Sequence, residues 1–392
     1  MKKVLYSTTA LAAAAMLAFS GSAVEAAAKK KAKAKPLKVS VGGFMTSLIG
    51  FSENDGAFEV AATTETNGNV ARVNYDNFNI INDSEITFKG STKLDNGITV
   101  SLQVGLEADQ VNGSDIDESY MKFTGGFGDV RIGSIAFGGA TLAHQAPENG
   151  PLQMDTPHTD SWIIKPANIT LSNTPAGTSA SGTNIGGNDS IKLVYISPKF
   201  ANAVYVGASY APSLTNNDFM PAVGGTAGTE NQMFDVTVSY ESKVGGAAVK
   251  ADISYAEQHG TAANSFKFIR GGLNVGIGGL TLGFGYKDQE DLDTGKAGTA
   301  NSDEEEVYDV GIGYAAGAYK VSVGHFHAER PLASTTTGDD EVDKYGLGAT
   351  YNIGPGVDVK GGLYHVEYND EGTADADNND GWAAVAGVTV KF

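Results

Sequence analysis

The C-terminal segment from Trp382 to Phe392 alternates almost without interruption between apolar side chains and polar or small ones. Successive residues of a strand point to opposite faces, so Trp382, Val390 and Phe392 share one face and Lys391 lies on the other. A strand with lipid on one side and water on the other requires this pattern. We therefore expect the segment to be the closing strand of a bacterial outer-membrane β-barrel, with Phe392 as its assembly signal.

The N-terminus has the composition of a secretory signal. Lys2 and Lys3 precede an apolar stretch from Val4 to Phe19, and small residues suitable for cleavage follow it. The apolar stretch is shorter than the about 20 residues that a membrane-spanning helix needs. We expect a signal peptide over residues 1–28, export through the periplasm, and a basic lead over residues 29–36. The lead is either a solvated tail or a contact with an anionic envelope surface.

Composition narrows the possible partners. The chain has 27 basic and 46 acidic residues, a formal net charge of −19, and no Cys. Nucleic acid is excluded as a partner because its phosphates require Lys and Arg. The absence of Cys fits an oxidising compartment, in which stray thiols would pair wrongly. In a barrel, acidic loops and an acidic lumen would attract cations.

Residues 37–392 repeat the period-two alternation until a barrel is complete. The predicted strands are residues 37–51, 82–90, 97–108, 117–125, 128–136, 190–197, 202–211, 233–241, 246–256, 266–276, 279–288, 306–315, 318–328, 342–352, 356–368 and 382–392. Their even number, and the alternation of short with long connections, predict an all-β fold, a 16-stranded antiparallel transmembrane β-barrel. A soluble β-sandwich is the alternative, but it does not explain the alternating connections and would leave strand edges exposed.

One connection, residues 137–189, is much longer than the others. Loops of this length are usually functional or disordered, and a 16-stranded barrel is wide enough to hold an aqueous channel. We expect this third long loop to fold into the lumen and form a constriction that carries Glu148, Asp155 and Asp160. The alternative is a loop that covers a neighbouring subunit or lies outside the barrel.

Several short motifs resemble those of general Gram-negative porins, especially the porins of alphaproteobacteria. The run from Glu118 to Gly133 is similar to the hairpin between the fourth and fifth strands of that family, and Phe88–Gly90, Tyr195–Phe200 and the terminal Phe392 agree with it. The resemblance implies a homotrimer, a third loop folded into each lumen, and passive diffusion of small hydrophilic solutes. It also implies that the barrel-insertion machinery reads the terminal aromatic residue.

The chain departs from that family at two positions of the pore. Where the resemblance implies inward arginines, this sequence has Glu85 and Ser134. We therefore expect a preference for cations. The candidate constriction and lumen residues are Glu85, Lys89, Glu107, Lys122, Arg131, Glu148, Asp155, Asp160 and Lys192.

Other chemistry has weak support in the sequence. His325 and His327 share one face of a strand and a metal could bridge them, but no third ligand is evident. No nucleophile-elbow motif appears, so we expect neither an enzyme nor a cofactor. Acidic loops such as 339–341 are solvated, or bind divalent cations that bridge lipopolysaccharide. Two alternative functions stay open, a solute-specific channel and a barrel that serves as a structural anchor or adhesin.

Overall fold

The structure is a computed structural model of the chain. It describes residues 37–61, 63–66, 69–72, 75–108, 116–166, 169, 171, 190–214, 232–259, 266–291, 305–331, 338–370, 372 and 374–392. The expected signal peptide, the basic lead and residues 172–189 of the long loop lie outside this part of the chain.

Antiparallel strands dominate the described residues. In chain order they are β1 (Lys38–Asn54), β2 (Thr63–Thr66), β3 (Asn69–Arg72), β4 (Phe78–Lys93), β5 (Thr99–Glu107), β6 (Ile116–Gly125), β7 (Gly128–Ser134), β8 (Ile191–Ile196), β9 (Val204–Ala211), β10 (Gln232–Val244), β11 (Ala247–His259), β12 (Phe266–Ile277), β13 (Leu280–Asp291), β14 (Glu305–Ala316), β15 (Tyr319–Pro331), β16 (Asp339–Gly354), β17 (Val357–Asn369) and β18 (Asn379–Lys391). Within the described residues, β1 and β4 to β18 form one closed barrel of sixteen strands, and β2 pairs with β3 separately. The predicted 16-stranded antiparallel barrel is confirmed.

The barrel closes between its first and last strands. β1 pairs with β18 and, on its other edge, with β4. At the seam the backbone amide of Phe392 donates to the carbonyl of Gly43 at 3.1 Å, and the amide of Gly43 donates to the carbonyl of Phe392 at 3.0 Å. The terminal segment is therefore the closing strand, as its alternation predicts.

Alternation along each strand separates an apolar face from a polar one. On β10, Val236 and Val238 are each 43% exposed, whereas Asp235 and Thr237 are 0% exposed. Trp382 and Phe392 are among the most exposed aromatic residues, at 60% and 67%. Lipid is the solvent that makes such a surface stable, so the apolar face is the outer surface of a membrane barrel.

Short turns join the strands at one end of the barrel. Between β10 and β11, Gly245 and Gly246 adopt φ values of 57° and 91°. A two-residue hairpin of this kind needs positive φ at both positions, which glycine adopts without steric cost.

Three short helical elements accompany the strands. They are α1 (Gly56–Ala61), α2 (Gly138–Leu142) and a 3₁₀ helix (Pro157–Ser161). In the part of the chain that the structure describes, no helix is long and apolar enough to cross a membrane. The sequence predicts none of these helical elements and neither β2 nor β3. Strands of four residues are too short for alternation to be recognised, and the helical elements have at most six residues.

Candidate functional site

The long loop, where it is described, is bonded to the polar face of the barrel. We call residues 135–166 the loop segment. Six of its backbone amides donate to side chains on six different strands: Gly138 to Ser209 (2.6 Å), Gly139 to Asp235 (2.9 Å), His144 to Asp252 (2.6 Å), Ala146 to Asp309 (2.6 Å), Asn149 to Ser322 (2.8 Å) and Leu152 to Tyr364 (3.1 Å). The loop segment therefore follows the polar faces of β9 to β17, which we call the loop-bound wall.

The far end of the loop segment is attached across the barrel seam. The amide of Ile164 donates to Asn54 Oδ1 on β1 at 2.9 Å, and Asn379 Nδ2 on β18 donates to the Ile164 carbonyl at 2.6 Å. The strand order of the barrel places β4 to β7 together on the remaining part of the circumference. We call the polar faces of these four strands the opposite wall.

Glycines on the loop-bound wall allow the loop backbone to come close. A Cβ atom built on Gly272 would overlap the carbonyl oxygen of His144, and one built on Gly348 would overlap the backbone nitrogen of Gly150. A side chain at either position would displace the loop segment, which is the usual reason for glycine within a strand at a close backbone approach.

Basic side chains on the loop-bound wall are buried against carboxylates. Arg270 forms an ion pair with Asp252, with both side chains 0% exposed, and also donates to the carbonyl of His144 at 2.8 Å. Lys287 Nζ lies 3.6 Å from a carboxylate oxygen of Glu305, and both side chains are at most 2% exposed. Arg270 thus joins the wall to the loop segment, whereas Lys287 and Glu305 join two neighbouring strands of the wall, β13 and β14.

Glu148, Asp155 and Asp160 are also engaged in internal contacts. Glu148 accepts the Met154 amide at 2.9 Å, and Asp155 accepts Gln145 Nε2 at 2.5 Å. Burial, together with the nearby Asp155 carboxylate, raises the pKa of Glu148 to about 8. Burial also raises the pKa of Asp155.

Asp160 bridges the loop segment to the wall. It accepts the Tyr368 hydroxyl at 2.7 Å, and Lys344 Nζ lies 3.6 Å from the same carboxylate oxygen. Lys344 also donates to the Thr156 carbonyl at 3.0 Å. The structure therefore brings the predicted loop acids together within and beneath the loop segment.

The remaining predicted lumen residues, apart from Lys192, gather on the opposite wall. Glu85 lies across from Glu107 in the register of β4 and β5, and Lys122 lies across from Arg131 in the register of β6 and β7. Lys89, on the same face of β4 as Glu85, is exposed. This wall therefore combines carboxylates and cations that are partly open to solvent.

Lys192 is buried and not open to the lumen as the sequence predicts, and Glu118 is a residue of the site that the sequence analysis does not include. Lys192 is 2% exposed, donates to the Ser190 carbonyl at 2.8 Å, and lies 4.6 Å from the ring centre of Phe137. It therefore supports the start of the loop segment. Glu118, which accepts Gln103 Nε2 at 3.0 Å, belongs to the opposite wall. Its alternation with Lys122 along β6 is the signal that could have identified it.

The histidine pair lies on the other face of the barrel wall. His325 Nε2 and His327 Nδ1 contact the same oxygen of Asp343, at 2.7 and 3.0 Å. Both lie on the same face of β15 as the exposed Val321 and Val323, since these four positions are two residues apart. Among the described residues, no group of three or more His, Cys, Asp or Glu side chains is arranged to hold a metal ion.

Comparison with known proteins places the chain in a family. The family model described as Gram-negative porin matches residues 7–371. The chain belongs to the Gram-negative porin family. It is therefore a channel protein of the Gram-negative outer membrane and not an enzyme, and the resemblance stated from its motifs is confirmed. A search of curated proteins finds no match to this chain.

Solved porin structures share the fold at low sequence identity. The anion-selective porin from Comamonas acidovorans has a TM-score of 0.61 and 14% identity, covering 91% of this chain and 100% of that one. The trimer form of OmpT from Vibrio cholerae has a TM-score of 0.58 and 12% identity, with the same coverage. OprB from Pseudomonas putida has a TM-score of 0.54 and 10% identity, covering 91% and 94%. At these identities the similarity shows the fold alone.

Proposed function

We propose that this porin lets small hydrophilic solutes and ions diffuse passively through its barrel, and that the loop segment lies within the lumen and narrows it. The observation that supports this proposal is the row of six loop amides bonded to the polar faces of six strands. A segment bonded along the polar side of a barrel whose other side faces lipid reduces the cross-section of the water-filled space. No energy coupling is required for such a channel.

Deletion of residues 145–185 tests the constriction. The strand ladder is complete without these residues, so the shortened chain should still form a barrel and its single-channel conductance should rise. Heat-modifiable mobility on a gel reports folding, and planar-bilayer recording reports conductance. A folded deletion variant with the conductance of the full chain would place the loop outside the channel.

We further propose that the channel prefers cations. The chain carries a formal net charge of −19, and Arg270, Lys287 and Lys344 are held in ion pairs on the loop-bound wall. Charged rings determine which ions permeate such channels. The fold does not decide the sign, because the Comamonas acidovorans neighbour is described as anion-selective. Reversal potentials in a potassium chloride gradient should show a higher permeability for potassium, and a chloride preference would contradict the proposal.

The assembly that we propose is a homotrimer in the outer membrane. The OmpT structure from Vibrio cholerae is described as a trimer, and this shared fold supports the same oligomeric state for the present chain. We also propose that Phe392 is read by the barrel-insertion machinery and that acidic loops contact lipopolysaccharide through divalent cations. Residues 339–341 do not belong to these loops, because they begin strand β16 and Asp340 is buried. Light scattering of the detergent complex before and after heating tests the trimer, since a mass of one chain before heating would exclude it.

A purely structural role as an envelope anchor or adhesin is the contrasting function. It predicts that the purified barrel inserts into a bilayer without ion current. A solute-specific channel, the other alternative, predicts saturable block of the current by one class of solute.

A further inference from the structure

A cavity of about 530 Å³ lies between the loop segment and the polar faces of the strands at the barrel seam. Its volume is within the range of small-molecule sites, which run from about 300 to 1,000 Å³. Strand β1 contributes Phe44 and Leu48, β4 contributes Ile81, and the loop segment contributes Leu152 and Trp162. Leu48, Leu152 and Trp162 are at most 9% exposed, because they pack together where the loop segment meets the barrel. Phe44 and Ile81 are half-buried and keep apolar surface open toward the cavity.

The strand register arranges the cavity wall in rows. Leu48 on β1 lies across from Ile81 on β4, and Thr46 lies across from Asp83. On the other edge of β1, Phe44 lies across from Lys391 of β18. The apolar residues are thus flanked by an acidic side chain toward β4 and a basic one toward β18.

Two cations line this cavity without a carboxylate partner. Lys360 on β17 and Lys391 on β18 both belong to its lining. Neither forms an ion pair with a described residue, although Asp358 acts on Lys360 from beyond ion-pair distance. This distinguishes them from Arg270, Lys287 and Lys344, whose guanidinium or ammonium groups form ion pairs with carboxylates. An unpaired lysine beside an apolar surface is suited to bind an organic anion.

We propose that the cavity binds small solutes that combine an apolar or aromatic body with a single carboxylate group. The body packs against Phe44 and Ile81, next to the buried Leu48 and Trp162, and the carboxylate lies near Lys360 and Lys391. Asp83, also in the lining, disfavours a second negative charge on the solute, so monocarboxylates bind better than dicarboxylates. The inference rests on the proposed function, since solutes reach the cavity through an open channel, and it names the solute class that the channel retains.

The titratable groups around the cavity are mixed in sign. Besides the two lysines and Asp83 they are Glu148 and His158 of the loop segment. Burial lowers the pKa of His158, which favours its neutral form at pH 7. The two lysines thus carry most of the positive charge that a bound carboxylate meets.

Current block by phenylacetate tests the proposal. Phenylacetate should interrupt the current of single channels in a saturable way, whereas acetate, which lacks the aromatic body, and phenethylammonium, which lacks the carboxylate, should not. The variant Lys360→Gln should weaken the block about tenfold, because it removes a charge-assisted hydrogen bond to the carboxylate. The variant Ile81→Thr should weaken it several-fold through loss of apolar contact.

The matched control is Lys250→Gln. Lys250 is the fourth residue of β11, as Lys360 is of β17, and both alternate onto the polar face of the barrel. Lys250 lies 3.6 Å from Glu241 and does not line the cavity. Block by phenylacetate should therefore be unchanged in Lys250→Gln. An equal loss in the two lysine variants would mean that phenylacetate senses only the general charge of the lumen, which would overturn the site.

A binding measurement separates failure of the site from failure of the channel. The chain has two tryptophans, so the variant Trp382→Phe leaves Trp162 as the only tryptophan. In detergent, phenylacetate should change the fluorescence of that variant in a saturable way, and Lys360→Gln added to it should weaken the effect. A conducting channel with no block and no fluorescence change overturns the site alone. A barrel without current, with the fluorescence change intact, overturns the diffusion function and keeps the site.

Discussion

The loop-bound wall and the opposite wall share the same strand alternation, yet their charged residues have different surroundings. On the loop-bound wall Asp235 and Arg270 are 0% exposed, and both bond to the backbone of the loop segment. On the opposite wall Glu85 and Lys122 are partly exposed and lie beside other charged groups. Coverage by the loop, and not the identity of the residue, decides whether a charged side chain is buried in contacts of the fold or stays partly open to solvent.

This difference has an energetic consequence. A buried carboxylate is stable only when hydrogen bonds or an opposite charge replace its lost water. Asp252 has both, since it accepts the His144 amide and pairs with Arg270. A carboxylate that water still reaches keeps most of its solvation, so its contacts contribute little to stability. The loop-bound wall should therefore be sensitive to substitution, and the opposite wall tolerant.

The largest expected effect is that of Asp252→Ala. The change leaves the guanidinium of Arg270 buried without this carboxylate, and removing one partner of such a pair costs about 3–5 kcal/mol. It also removes the acceptor of the His144 amide. The unfolding midpoint in denaturant should fall, and the open-channel current should become noisier as the loop segment detaches.

The control for Asp252→Ala is Glu118→Ala on the opposite wall. Glu118 accepts a hydrogen bond from Gln103, and water can replace that bond at a partly exposed site, so the loss should stay within about 1 kcal/mol. Similar losses in the two variants would mean that the loop-bound wall has no special role in stability.

A smaller effect is expected from the titration of Glu148. Its pKa is raised from 4.5 to about 8, so the packed loop binds a proton that the unpacked loop releases. The stabilisation is complete below pH 4.5 and is lost as the pH rises through about 8. Within that window the change is at most about 1.4 kcal/mol per pH unit.

Single-channel recording from pH 5 to pH 9 measures this effect. Current fluctuations should increase toward pH 9, because the ionised Glu148 faces Asp155 and Asp309 as well as the favourable charge of Lys344. The variant Glu148→Gln keeps the shape of the side chain and cannot ionise, so its fluctuations should not change over the same range. A pH dependence that persists in Glu148→Gln would assign it to another group.

The contrast between the walls also explains what the sequence could predict. Lipid imposes alternation on every strand, so the number of strands and the closing strand could be inferred from residues such as Trp382 and Phe392. The order of the strands around the barrel could be inferred as well, because strands that follow each other in the chain pair as neighbours. A loop amide that donates to Asp235 or Asp252 leaves no pattern in the sequence of the loop, because every residue except proline carries that amide.

The predicted pore acids illustrate the same limit. The sequence predicts Glu148, Asp155 and Asp160 in the constriction because they are acidic and belong to the long loop. Their burial depends on how the loop segment folds on itself and on the wall, which involves Met154, Gln145 and Tyr368. A useful signal was present on the strands, where Asp235, Asp252 and Asp309 alternate onto the polar face of β10, β11 and β14 and provide acceptors for a covering segment.

The smallest expected effect compares one serine on each wall. Ser322, 7% exposed, accepts the Asn149 amide at 2.8 Å, whereas the hydroxyl of Ser101 donates to Ser91 at 3.3 Å. Ser322→Ala removes an acceptor that the loop backbone needs, so it should cost about 1 kcal/mol and lower the unfolding midpoint. Ser101→Ala removes a long bond that water replaces, and its midpoint should stay within error of the unmodified protein. Because the two substitutions remove the same atom from strands of the same barrel, the difference between their midpoints isolates the contribution of loop coverage. A midpoint for Ser101→Ala as low as that for Ser322→Ala would show that the two walls do not differ in this respect.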